Sequence, residues 1–335
     1  VVVITLAGMR VASFNVNGIR ATQRRGFDRW LAERNCDVVA LQEMRCPAAM
    51  LPDGVFGDYH LAYDQGTING RNGVAVLTRH APEAVRGWGA GVLVRAPGEN
   101  HLEATDHDVA WPLARDLRRF GGEGRYVEVD LAEAPVTVAS LYVPKGGLPE
   151  HLQRPGGREE PDGGAKYARK MTFLAGLARH IGHARRAAAA RGREYLLMGD
   201  LNVAPTRQDL RNWRSNQKSE GFLPEEREWF ASILSPRSFV DVVRRLHPDA
   251  DGPYSWWSWR GQAFVNDVGW RIDHHLATPA LARSAVSAVV DREASYEERL
   301  SDHAPVVVDY DFFPEPAHPV DSIVSAGNGN HSAIG

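Results

Sequence analysis

The chain has 335 residues, of which 43% are hydrophobic and 24% charged; these are globular values and exclude wholesale disorder. That length is long for one ordinary domain, yet a single α/β architecture can span it and bury about three-quarters of the unfolded chain's surface without covalent staples. Thirty-nine Lys and Arg against 42 Asp and Glu leave a net charge of −3, so no global basic field announces a nucleic-acid partner, and only a local basic patch beside an acidic metal site would serve one.

Two cysteines, Cys36 and Cys46, cannot make a disulfide framework and fit a reducing compartment. No apolar run approaches the roughly 18 residues a membrane span requires. The opening stretch lacks a basic segment and is too short for a signal peptide. The expectation is a soluble, cytoplasmic protein without a membrane partner.

In chain order, residues 10–16 (Arg-Val-Ala-Ser-Phe-Asn-Val) read as a strand ending in polar groups, with Met9 before it and an N-terminal extension over 1–9. Phe27, Trp30 and Leu31 recur at i, i+3 and i+4 and predict an amphipathic helix before Asn35. The apolar run 37–41 predicts a buried strand ending at Gln42-Glu43. Further strands are expected at 73–78, 125–131 and 135–143. A long helix is expected over about 166–191, with Phe173, Leu177 and Ile181 on one face. The run 195–198 leads into Gly199-Asp200. Helices are expected at 224–234 and 238–246, and strands at 270–278, 285–291 and 304–312. Segments 86–124 and 146–164 are rich in Gly and Pro and read as loop insertions. The proline-bearing tail 314–335 reads as disordered, leaving one domain over 10–313.

Polar residues stand where the strand-like runs end: Asn15 and Asn17, Glu43, Asp200 and Asn202, Asp273, and Asp302 with His303. Strand ends are where loops of an α/β sheet converge on a ligand. Several carboxylates in one cleft repel one another unless a hard cation neutralises them, and an all-oxygen set suits Mg²⁺ or Mn²⁺. Zinc is disfavoured because no Cys/His ligand spacing is present. A divalent ion beside His and Asn donors matches phosphodiester hydrolysis, which needs a polarised phosphate, an activated water and charge stabilisation. A carboxylate beside His303 would fix its tautomer and keep it cationic. Singly, each residue has an ordinary reading as a turn, cap or core hydrogen-bonder.

Together the blocks are more specific. Ser13-Phe-Asn-Val-Asn-Gly-Ile-Arg20, Leu41-Gln-Glu43, Tyr142-Val-Pro144, Gly199-Asp-Leu-Asn-Val-Ala-Pro205, Trp270-Arg-Ile-Asp273 and Ser301-Asp-His-Ala-Pro305 resemble, in order, the signature blocks of the exonuclease III family. The resemblance covers about 10–313 and implies a DNase I-like fold, a four-layer α/β sandwich of two central sheets flanked by helices. It implies abasic-site (AP) endonuclease and 3′ exonuclease activity on double-stranded DNA, in a monomer associated with the nucleoid.

Residue by residue, the resemblance makes Glu43 the metal-binding glutamate, with Asn15 nearby and Asp302 beside the metal. Asp200 is matched to the residue that activates water, and Asn202 to one that holds phosphate and water. His303, oriented by Asp273, would contact the scissile phosphate, and Tyr142 would support phosphate or leaving-group charge. Trp256, Trp270 and Ile272 match the apolar pocket for a flipped-out abasic sugar, which an intact base would overfill. Trp257 and Trp259 read as core. Lys145, Lys170 and Arg207 are expected on DNA phosphates. Lys145, Asp267 and His274 depart from the family pattern, and the extra acid at Asp267 is expected to act on phosphate or metal. Two alternatives compete: a same-fold phosphatase acting on inositol phosphates or lipids, and a DNA-binding homologue without catalysis.

Overall fold

The computed structural model describes residues 8–311, apart from 69, 90, 100, 105–107, 110–112 and 157–159. The sequence expectations for 1–7 and for the tail at 314–335 lie outside the described residues. In chain order the strands are β1 Met9–Asn15, β2 Val38–Gln42, β3 His60–Asp64, β4 Val74–Thr78, β5 Ala84–Gly87, β6 Leu93–Arg95, β7 Glu103–Ala104, β8 Asp108–Val109, β9 Tyr126–Asp130, β10 Val136–Tyr142, β11 Glu194–Asp200, β12 Val240–Asp241, β13 Asp273–Ala277, β14 Ala285–Val290 and β15 Val306–Tyr310. The helices are α1 Ile19–Gln23, α2 Phe27–Arg34, α3 Ala165–Ala190, α4 Pro224–Ile233, α5 Val242–Leu246 and α6 Pro279–Ser284.

Two mixed sheets result, ordered β14-β15-β1-β2-β4-β3-β6-β7 and β12-β13-β11-β10-β9-β5-β8. Alternate side chains of a strand face opposite sides, and here both sides are buried, which is why the central strands read as unbroken apolar runs. Val38 and Ala40 of β2 point into the layer between the sheets and meet the cluster of Val127, Val138 and Met198. Val39 and Leu41 point the other way, into a cluster with Phe27 and Leu31 of α2. On the second sheet, Ala139, Leu141 and Leu197 join Phe173, Leu177 and Ile181 of α3. Truncating a buried Leu such as Leu177 to Ala in such a layer costs about 2–5 kcal/mol.

Local signals set the helix ends. Asp162 accepts from the backbone N–H of Gly164 and Lys166 at 3.0 and 3.1 Å, satisfying donors that the first turn of α3 leaves unpaired. Asn35 closes α2 in the left-handed region, a conformation Asn tolerates.

Two expectations change. The helix expected over 238–246 begins later, because Val240 and Asp241 pair with β13 before Asp241 caps α5 by accepting from the N–H of Arg244 at 3.1 Å. Segment 86–124 is not merely a loop: part of β5 and all of β6, β7 and β8 come from it and extend the sheet edges. Trp88, Leu117 and Phe120 from this segment are buried against α3. Segment 146–164 is loop, apart from one short helical turn over Glu150–Leu152, in its described part.

Candidate active site

The strands β1 and β2 run parallel, as do β10 and β11, so each pair presents its C-terminal residues side by side. The two pairs meet across the sandwich: Asn15 Nδ2, at the end of β1, donates to Asp200 Oδ2, at the end of β11, at 2.9 Å. Asp200 is in register with Tyr142 on one side and with Asp273, opening β13, on the other. This close packing depends on Gly199, where a Cβ would sit 1.9 Å from the Leu141 carbonyl oxygen at a φ of +143°.

A cleft of 550 Å³ opens at these ends, lined by Glu43, Tyr142, Asp200, Asn202, Asp302 and His303 and, on the apolar side, by Trp256, Trp270 and Ile272. Four residues along it, Asn17, Glu43, Arg45 and Asn202, hold positive φ of 44–51° without being glycine. Each costs about 1–3 kcal/mol, and such strain concentrates at functional sites.

The polar side is a connected network. Asp273 Oδ2 accepts from His303 Nδ1 at 2.8 Å and from Ser255 Oγ at 2.6 Å. His303 Nε2 lies 3.8 Å from Asp200 Oδ2. The Asp200 carboxylate also accepts from the Asn202 backbone N–H at 2.8 Å and its Nδ2 at 3.2 Å. Asp302 accepts from Asn17 Nδ2 at 2.7 Å and from Trp256 Nε1 at 3.1 Å. That last bond ties the apolar wall to the acidic floor.

Burial, reinforced by Asp273 and Glu43 and opposed by His303, pushes the Asp200 carboxyl well up. Burial alone would lower His303, but Asp273, Asp200 and Asp302 overrule it and push the imidazole up, so it is a cation at neutral pH. Burial would raise Asp302, and His303, Asn17 and Trp256 hold it below the usual range. Burial, then Glu43 and Asp200, raise Tyr142 well above an ordinary phenol, so it is a neutral donor.

The acids are short of positive charge. Asp200, Asp273 and His303 offer ligand atoms within 4.8 Å of one another, and Asp273 Oδ1 is buried without a hydrogen-bond partner. The Glu43 and Asp302 carboxylates line the same cleft, and carboxylate oxygens suit a hard divalent cation.

The sequence expectations for Glu43, Tyr142, Asp200, Asn202, Asp302, His303, Trp256, Trp270 and Ile272 fall on one cleft, with Asp273 directly behind His303. Asn15 is fully buried, its Oδ1 accepts from the Asn17 N–H at 3.0 Å, and its amide steadies the Asp200 carboxylate. Lys170 is corrected outright: it is 1% exposed, its ammonium pairs with Glu226 at 2.6 Å, and no DNA phosphate can reach it. Lys145 lines the cleft; Arg207 is exposed along a neighbouring 590 Å³ groove with Trp213. Asp267 is exposed and accepts from Trp257 Nε1 at 2.9 Å, so its carboxylate serves the Trp257 loop and does not line the cleft. His274 is buried behind the site, between Arg271 and the Val203 carbonyl. Trp257 is core, as expected. Sequence reasoning assigned no role to Arg45, which pairs with Glu43, or to Glu220, which pairs with Lys145; both line the cleft.

Known proteins resemble this chain in sequence and fold. The chain is 30% identical over 299 residues to the exodeoxyribonuclease of Bacillus subtilis, covering 89% of this chain and 98% of that protein. It is 30% identical over 307 residues to the DNA repair nuclease APEX1 of Danio rerio, covering 90% and 82%. Its fold matches the AP endonuclease of Archaeoglobus fulgidus with a TM-score of 0.69 at 26% identity, over 91% of this chain and all of that one. The family model described as Endonuclease/Exonuclease/phosphatase matches residues 12–303, a span that takes in every cleft residue named above, and the chain belongs to that family.

Proposed function

We propose that this chain is a DNA repair nuclease that hydrolyses the phosphodiester 5′ to an abasic site and also trims 3′ ends. One observation carries the reading: a single 550 Å³ cleft holds both the Asp200–His303 pair and an apolar wall of Trp256, Trp270 and Ile272. Phosphate hydrolysis uses the first, and a baseless deoxyribose fits against the second, where an intact base would have to be unstacked at a cost of a few kcal/mol.

The Asp200 carboxylate, held by Asn15 and Asn202, accepts a proton from water as the water oxygen attacks phosphorus. Asn202, hydrogen-bonded to Asp200, aligns that water. Cationic His303 and neutral Tyr142 donate to phosphate oxygens as negative charge builds on them. The bond from phosphorus to O3′ breaks, and the departing oxygen gains a proton to become a 3′-hydroxyl. Bound by Glu43, Asp302 and Asp200, a divalent ion, Mg²⁺ with Mn²⁺ as substitute, would supply phosphate polarisation and charge neutralisation. Lys145 in the cleft and Arg207 in the adjoining groove supply cations for backbone phosphates of duplex DNA.

A labelled duplex with one synthetic abasic site, beside an undamaged duplex with a recessed 3′ end, tests the reading. A single cut at the abasic site with Mg²⁺ and none with EDTA is expected. Absence of cutting on both duplexes would overturn it in favour of a same-fold phosphatase.

A further inference from the structure

The cation of Lys145 is already engaged. Its Nζ lies 3.0 Å from Glu220 Oε1, and the two side chains, about half and one-quarter exposed, line the same cleft as Asp200 and His303. They come from different loops, Lys145 from the turn after β10 and Glu220 from the turn before α4. Neither backbone is free to drift. Buried Lys170 donates to the Lys145 carbonyl at 3.1 Å and the Asn202 carbonyl at 2.8 Å. Its ion pair is with Glu226, which accepts from the N–H of Leu223 at the start of α4. Gly146 packs so tightly on this lysine that a Cβ there would sit 2.5 Å from Lys170 Cδ. One buried ammonium thus fixes both loops, and what can change is the pairing at the side-chain tips. Exposed pairs of this kind add little stability and are readily exchanged.

We propose that Glu220 is an internal competitor of the nucleic-acid phosphate for Lys145, and so sets how tightly the cleft holds its substrate backbone. The inference rests on the reading of the cleft as a DNA phosphodiesterase site. Glu220 is a singly charged acceptor, as a phosphodiester is, and one can replace the other without a net change in the charge around Lys145. The exchange leaves a signature in salt. A phosphate neutralised by a free lysine sheds about 0.9 of a condensed counterion. Where the lysine must first abandon a carboxylate, that carboxylate regains an ion and the net release falls towards zero.

The test is binding of a fluorescently labelled duplex carrying a tetrahydrofuran abasic analogue, followed by anisotropy in EDTA between about 50 and 200 mM KCl. Glu220→Gln is expected to bind several-fold more tightly at low salt and to steepen the slope of log K against log salt by about 0.9. Adding Lys145→Gln to it should return the slope to the wild-type value. An unchanged slope, or weaker binding by Glu220→Gln, would overturn the inference and make Glu220 a prop that holds Lys145 ready for phosphate. The function itself is checked separately, by adding Mg²⁺ to the wild-type complex. Binding without cutting would sink the nuclease reading while the slope still decides the role of Glu220. A wild type that does not bind the duplex sinks both.

Discussion

His303 and Asp273 share a 2.8 Å hydrogen bond between Nδ1 and Oδ2 in a site where both are almost wholly buried. Ser255 holds the pair from behind: its hydroxyl donates to Asp273 Oδ2 and accepts from the N–H groups of Ile272 and Asp273. The imidazole is therefore fixed in orientation, with Nε2 turned towards Asp200. Asp273→Asn keeps the shape and removes the charge that does most to hold His303 protonated. Cleavage of the abasic duplex should fall by about 10²–10³-fold, the loss typical when one charge-stabilising donor is disabled, with the circular dichroism spectrum unchanged. A rate within a factor of two of wild type would take His303 out of the role of charged donor.

Trp270 and Trp256 meet edge to face, with ring centroids 6.4 Å apart and planes at 84°. Trp270→Ala should open the wall and raise KM on the abasic duplex more than on a recessed 3′ end. Rates and KM measured on both substrates decide this, and equal losses on the two would mean that Trp270 is packing alone.

Lys170→Met removes an ammonium from a site in which Glu226 is 1% exposed, leaving a buried carboxylate without its partner. The expected cost is about 3–5 kcal/mol, read by urea unfolding. If Lys170 were instead a DNA contact, stability would hold and only affinity would drop.

His180 and His275 make the fold sensitive to mild acid. Burial lowers the first to about 3 and the second to about 4, and His180 Nε2 accepts from Trp88 Nε1 at 2.9 Å. In the unfolded chain both titrate near 6.5. Below that pH the unfolded state binds protons that the folded state refuses, so stability falls as pH drops from about 6.5 towards 4, by up to about 1.4 kcal/mol per pH unit for each histidine. His180→Gln can still accept from Trp88 but does not titrate, and should remove one histidine's share of that slope. Unfolding at pH 7, 6 and 5 measures it, and identical slopes would show that His180 does not stay neutral in the fold.

Most of the cleft was legible in the sequence because parallel strands buried on both faces write long apolar runs, and the polar residue closing each run marks the sheet edge. Asp200 after 195–198 and Glu43 after 37–41 are the plainest cases. The edge strands β6, β7 and β8 are two or three residues long and carry no such run, so 86–124 read as loop. Lys170 was misplaced although a signal existed: it stands three and seven positions before Phe173 and Leu177, on the same buried stripe of α3. Asn15 was recognised as part of the site, but its bond to Asp200 was not, because only the crossing of β1 and β11 brings its amide to that carboxylate. The pairing of Lys145 with Glu220 joins loops 75 residues apart, and no periodicity reports a contact of that kind.

The most direct test of the central claim is single-turnover cleavage of the abasic duplex in Mg²⁺ by wild type and Asp200→Asn, with duplex affinity measured in parallel. Asparagine keeps the size of Asp200 but cannot take the proton from water, so the rate constant should fall by about 10²–10⁴-fold while affinity stays within a few-fold of wild type. Near-normal cleavage by Asp200→Asn would contradict the account, because a carboxylate at the meeting point of the two sheets would then not be the group that activates the attacking water.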